Sequence, residues 1–234
     1  MKVFVLTKRQ YMGKDLLDDR FGRFRELPLA LAHLGHEVQG ISLSYRPRAE
    51  GSIIDSRPPR DGQVVWHSFN LLNGFVPALR GYFKHARQLI RYFHPDIIWT
   101  CSDAYHAIFG CRLSQEYQTK CVIDLYDNFE EFGATKLPPV SALFKRDVKQ
   151  ADGVTCFSQR LAERVVQIYP RVKPTVVIES GVNTELFSPL DRTLSRQQLG
   201  LPEDATIIGT AGALHRGRGI DVLFRGLAIL NAQD

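Results

Sequence analysis

The sequence has no run of about 20 apolar residues of the kind a membrane-spanning helix needs. The opening MKVFVLTKRQ is too short in its apolar part for a signal peptide and is closed at once by Lys8 and Arg9, so it reads as a first strand. A cytoplasmic chain is expected on both counts. Cysteine is scarce: Cys101, Cys111, Cys121 and Cys156 form no Cys-x-x-C pair and sit mostly in strand-like runs. That pattern points to reduced core thiols rather than a metal site or a disulfide frame. No cluster of metal ligands stands out, and no metal or other cofactor is expected. The segment Lys8 to Gly22 also lacks Gly-x-Gly-x-x-Gly, since Gly13 and Gly22 are its only glycines, which speaks against a nicotinamide dinucleotide. Basic residues exceed acidic ones by a net charge of +5, but they are spread along the chain without RNP-like aromatics or zinc-finger spacing. Nucleic acid is therefore not an expected partner.

What the chain does have is alternation. Strand-like runs at Lys2 to Thr7, Glu37 to Leu43, Val64 to Phe69, Ile97 to Cys101, Cys121 to Leu125, Val154 to Phe157 and Thr175 to Ile178 are separated by helical patterns. The helices are predicted at Phe21 to Leu34, Pro77 to His94, Ala104 to Tyr117, Ser141 to Gln150 and Gln159 to Tyr169. This is the pattern of an α/β protein with a Rossmann-like, doubly wound parallel sheet. Arg46 to Gly62, rich in Pro, Arg and Gly, reads as a loop. The densest basic segment is Pro77 to His94, where Arg80, Lys84, Arg87 and Arg91 run beside an apolar stripe; it suits an ordinary surface helix or contact with the inner face of a membrane.

The most informative stretch is Gly209 to Leu227, GTAGALHRGRGIDVLFRGL. Thr206 to Ala211 reads as a strand, and Ile220, Leu223, Phe224, Leu227 and Leu230 recur at helical spacing. Gly212 to Gly219 then forms the turn between them, where backbone N–H groups and the positive helix end attract an anion, with Arg216 and Arg218 adding charge. The plainer alternative is a strand–turn–helix with solvated arginines.

Upstream lies VVIESGVNTELFSP, Val176 to Pro189, and then RQQLGLPEDATIIGTAG. The ordered series Ser180, Gly181, Val182, Asn183, Phe187, Pro189, Arg196, Leu199, Gly200, Leu201, Pro202, Gly212, Ala213, Leu214, Arg218 and Gly219 resembles the interdomain region of retaining glycosyltransferases of family four, which have the two-domain GT-B fold. In that resemblance Ala213 replaces the usual arginine of the phosphate loop, and Arg218 stands where lysine is usual. The resemblance implies an acceptor-side domain over residues 1–185, a linker over 186–205, and the first strand and helix of a truncated donor-binding domain over 206–234.

Ligands of open parallel sheets bind at the carboxyl ends of the strands. After the first strand, Gly13 is the expected contact to the donor diphosphate, with Arg20 and Arg23 facing the acceptor, unless those arginines are simply solvated. After the fourth, Ser102 or Asp103 can cap a helix, and Asp103 together with His106 in its first turn are candidate acceptor contacts. After the fifth, in VIDLYDNFEEFG, the resemblance puts Tyr126 where a histidine is usual and Asp127 next to it, making these two the candidate catalytic residues. Asp124 in the same run can instead be a satisfied structural carboxylate.

The reaction implied by the resemblance is transfer of a sugar from a nucleotide sugar to a hydroxyl of a glycan or lipid-linked acceptor with retention, in polysaccharide or glycolipid synthesis. Gly13, Gly212, Arg216, Arg218 and Gly219 would hold the departing diphosphate without a metal. A Rossmann-like domain should need roughly 130 residues or more, so the chain alone is expected to be inactive. A non-catalytic binding or scaffold domain derived from such an enzyme stays open as the alternative.

Overall fold

Apolar strands joined by helices can lie parallel only when each crossover lays its helix on the sheet. A computed structural model, which describes residues 1–57, 62–73, 76–170, 174–182, 184, 187–212, 214 and 216–231, has this arrangement over its first unit, Met1–Gly181. Eight strands form the main sheet among the described residues: β1 (Lys2–Lys8), β2 (Glu37–Ser44), β3 (Gly51–Ser56), β4 (Gln63–Asn70), β5 (Ile97–Thr100), β6 (Lys120–Leu125), β7 (Gly153–Cys156) and β8 (Thr175–Val177). Their order is β8-β7-β6-β5-β1-β2-β4-β3, with every pair parallel except β3 with β4.

Both faces are covered, which is why the strands are apolar at consecutive positions. On one face Val3, Val5, Val38, Val64, Trp66 and Trp99 pack with Phe24 and Leu29 of α1 (Arg23–His33). The other face sends Phe4, Leu6, Ile41 and Ile98 against α2 (Leu79–Phe93) and α3 (Ala104–Tyr117). A third cluster joins β6 and β7 to α3, α4 (Pro138–Gln150) and α5 (Gln159–Ile168). Gly40 in β2 admits the Trp66 ring so closely that an added Cβ would lie 2.3 Å from it. All four cysteines are free and buried, with Cys111 Sγ 3.2 Å from Cys121 Sγ.

Two elements differ from the sequence reading. Part of the expected loop Arg46 to Gly62 is the edge strand β3, which pairs antiparallel with β4 from Gly51↔Ser68 to Ser56↔Gln63. Its first four residues, Ile53 and Ile54 among them, are exposed, so its sequence shows no core pattern. The expected strand Thr206 to Ala211 carries no ladder; Ile207 and Ile208 are exposed, and no described strand pairs with it. A strand needs a neighbour for its N–H and C=O groups, and propensity alone does not supply one.

Among its described residues the second unit, Val182–Asp234, has two α-helices. α6 (Arg192–Leu199) lies within the expected linker, begins at Asp191, whose carboxylate accepts from Leu194 N at 2.8 Å, and ends at Gly200 in the left-handed region at φ 65°. The Arg196 guanidinium closes this end on the Pro202, Glu203 and Ala205 carbonyls. α7 spans Ile220–Asn231.

Candidate functional site

Chain order reverses between β1 and β5, so the crevice outside their carboxyl ends is where a doubly wound sheet places a ligand. Lys8 closes β1, and its N–H donates to Ser102 Oγ at 2.9 Å just beyond β5. Ser102 takes a left-handed φ of 88°, which turns the chain into the Asp103 cap of α3. Asp103 Oδ1 accepts from His106 N at 3.0 Å and meets His106 Nδ1 at 2.8 Å, while Oδ2 accepts from Tyr45 Oη at 3.1 Å. Burial alone would raise the Asp103 carboxyl, but His106, its two hydrogen bonds and Lys8 hold it well below the usual carboxylate range. His106 is buried, and its Nε2 has no hydrogen-bond partner among the described residues. Asp103 and His106 thus form an oriented pair, with the carboxylate placed to accept from Nδ1–H and fix the ring's orientation.

Tyr126 flanks the same crevice. Lys8 Nζ lies 3.4 Å from its Oη, and its ring makes edge contacts with Tyr11, Phe24 and Phe129 at 5.2 Å each. Burial, then Tyr11 and Asp103, raise its phenol well above the ordinary range, so it is a hydrogen-bond donor at neutral pH. Asp127 is exposed and its Oδ1 accepts from Asn128 N at 2.8 Å. Both residues line a cleft of about 500 Å³ that also takes in Asn128, Glu131, Phe157 and Arg160.

Of the other expected residues, Gly13 is at the tip of a two-stranded ribbon (Gln10–Tyr11 with Lys14–Asp15), at φ 80° with open space around it. Buried Arg9 holds this ribbon in place, bonding to Asp15 at 2.8 Å, Ser68 Oγ at 2.8 Å and Ala49 O at 3.1 Å. Arg20 is exposed. Arg23 is not free to face an acceptor, which corrects that expectation: its guanidinium grips Asp124 at 2.7 and 2.9 Å and donates to Ile178 O. The side chains of the pair are 2% and 0% exposed, and Thr155 Oγ1 also donates to Asp124. Asp124 is thus a fully partnered structural carboxylate.

In the second unit, Arg216 and Arg218 are exposed in a short 3₁₀ turn, with Gly212 at φ 124° and Gly219 at φ 76°. The Gly219 N–H donates to Arg216 O at 2.9 Å, so it is already engaged within the turn. Ala213 and His215, and Asn183 upstream, lie outside the described residues. Sequence reasoning missed Lys8 and Tyr45 as site residues, and of its two cap candidates, Ser102 and Asp103, the structure uses Asp103. Lys8 was detectable as the last residue of the strand at the reversal point, whereas Tyr45 reaches Asp103 from another crossover and leaves no local signal.

The model of Glycosyltransferase Family 4 matches residues 23–186, more than two thirds of the chain. The chain belongs to glycosyltransferase family four. Its curated relatives include the D-inositol 3-phosphate glycosyltransferases of Stackebrandtia nassauensis, 37% identical over 87 residues (36% of this chain and 19% of the relative), and of Catenulispora acidiphila, 34% identical over 84 residues (36% and 20%). Among solved structures, Anabaena HepE in complex with UDP-glucose superposes with a TM-score of 0.59 at 19% identity, covering 97% of this chain and 57% of that one. These likenesses identify the fold as that of GT-B glycosyltransferases. The chain spans little more than half of the HepE chain, and its alignment with the curated relatives covers about a fifth of theirs. Among the described residues, no helix is long and apolar enough to cross a membrane, and no group of three or more His, Cys, Asp and Glu is placed to hold a metal.

Proposed function

We propose that the protein is part of a glycosyltransferase that moves a sugar from a nucleotide sugar to an acceptor hydroxyl with retention of anomeric configuration, in polysaccharide or glycolipid synthesis. The observation that carries this reading is the crevice at the β1–β5 reversal, where Lys8 at the end of β1 meets Tyr126, and Asp103 meets His106 and Tyr45, the last four all within the family-matched residues 23–186. The first unit is the acceptor side. There Asp103 and His106 orient an acceptor hydroxyl with help from Arg20, while Asp127 and Tyr126 stand at the reacting centre. Arg23 is a positioning residue that fixes the strand end carrying Asp124.

The donor is a nucleoside diphosphate sugar, a reading favoured by the UDP-glucose bound to the HepE relative. Negative charge grows on the departing diphosphate as the glycosidic bond stretches. Fixed cations and backbone N–H groups can stabilise it, each contact being worth about 2.7–4 kcal/mol in comparable sites. Within the second unit, Gly212, Arg216, Arg218 and Gly219 are the groups assigned to it, with no metal invoked. Gly219 contributes backbone conformation and the helix end rather than its own N–H. The test is transfer from UDP-glucose and other nucleotide sugars by the whole protein, with the anomeric configuration of the product read by NMR. A product of inverted configuration would remove the retaining mechanism, and absence of transfer from every donor would favour a binding or scaffold role.

A further inference from the structure

α2 contains four cations, Arg80, Lys84, Arg87 and Arg91, and no acidic residue. Its inner side is fixed by Tyr82, Ala86, Ile90 and Phe93, all buried against the sheet. At 100° per residue, Arg80, Lys84, Gln88, Arg91 and Tyr92 fall together on the opposite side, and each of them is exposed, Tyr92 at 91%. Arg87 is held by Glu116 at 2.9 Å, and Arg91 donates to Tyr117 Oη at 3.1 Å. Arg80 and Lys84 have no ion-pair partner among the described residues. The helix begins near the carboxyl end of β4, the same end of the sheet as the crevice, and is preceded by a short ribbon on which Leu72 is 46% exposed.

We propose that the outer face of α2 docks the protein on an anionic lipid bilayer. The face is a convex helix side with unopposed positive charge, and a planar surface of negative headgroups is its complement. Each basic side chain near such a surface adds a roughly fivefold gain in partitioning, and lysine and arginine stems can lie along the interface while their heads reach phosphate. Tyr92 adds an amphipathic ring of the type that settles at headgroup depth. Because docking sets α2 against the membrane, the neighbouring crevice lies within reach of a lipid-linked acceptor. That consequence rests on the function proposed above, whereas the docking itself does not.

The test is flotation of the full chain with vesicles of phosphatidylcholine alone or mixed with phosphatidylglycerol, at rising salt. Binding is expected only to the mixed vesicles and should be released by salt. The variant Arg80→Gln/Lys84→Gln/Arg91→Gln should lose at least about tenfold in partitioning with its circular dichroism unchanged, and Tyr92→Ala should lose a smaller part. Equal binding to both vesicle types, undiminished binding by the triple variant, or binding to heparin without binding to vesicles would overturn the proposal. Vesicle binding is read without any sugar transfer, so its failure leaves the transferase reading standing, and the reverse holds too.

Discussion

The chain has two helix starts that look alike: Gly22-Arg23-Phe24-Arg25 at the opening of α1 and Gly217-Arg218-Gly219 just before α7. In the first, both guanidiniums are enclosed. Arg23 is bound by Asp124 from β6, and Arg25 by Asp55 from β3 at 2.7 and 2.8 Å. In the second, Arg218 is exposed and has no ion-pair partner among the described residues. The two segments differ in what distant parts of the chain bring to them. Carboxylates on two strands arrive at α1 and convert its arginines into internal braces, whereas Arg216 and Arg218 at the α7 start are left exposed.

Breaking the buried brace should give the largest effect. Arg23→Met leaves Asp124 as a buried, unpaired carboxylate, at an expected cost of about 3–5 kcal/mol. Urea unfolding would register this as a lower midpoint. Arg23→Met/Asp124→Leu should recover much of the loss, since a buried ion pair often contributes little beyond an apolar replacement of similar volume. A single Arg23→Met variant as stable as the parent would mean that the guanidinium is not enclosed as described.

The same truncation at the other helix start should do the opposite. Arg218→Ala is expected to leave the unfolding midpoint unchanged within about 0.5 kcal/mol. In the whole enzyme it should lower turnover at least about tenfold, or about 1.4 kcal/mol of barrier. Unchanged steady-state kinetics would make this arginine a solvated surface residue and erase the contrast.

A smaller effect separates the first unit by pH. Burial, and for His67 also the neighbouring His85, lowers the pKa of both imidazoles, whose rings lie 5.5 Å apart. The folded state therefore favours the neutral rings. Their contribution is present above the unfolded value of about 6.5 and is lost as pH falls through the depressed folded values. Thermal melts should show the midpoint declining on mild acidification, and His85→Phe should flatten that decline; an unaltered slope would assign it to other groups.

The strands and helices of the first unit were legible because their apolar periods repeat over enough residues to be read locally. Edge strand β3 was not, since of its six residues only Asp55 is buried and its composition is that of a loop. Thr206 to Ala211 failed in the other direction, having a strand's residues without a paired neighbour. In the site, Asp103 and His106 were legible because they are three positions apart on one helix start. The roles of Arg23, Lys8 and Tyr45 depend on partners that lie 101, 118 and 58 positions away, and no local pattern encodes them.

Asp127 and Tyr126 are proposed to stand at the reacting centre rather than on a passive rim of the cleft. The direct measurement is turnover of the whole enzyme for Asp127→Asn beside its unfolding midpoint. Because Asp127 is exposed and bonds only to the adjacent Asn128 N–H among the described residues, the midpoint should not move. Turnover should fall by about a hundredfold or more, as expected for loss of a group that handles a proton in the transition state. Transfer at the parent rate by a folded Asp127→Asn enzyme would contradict the assignment.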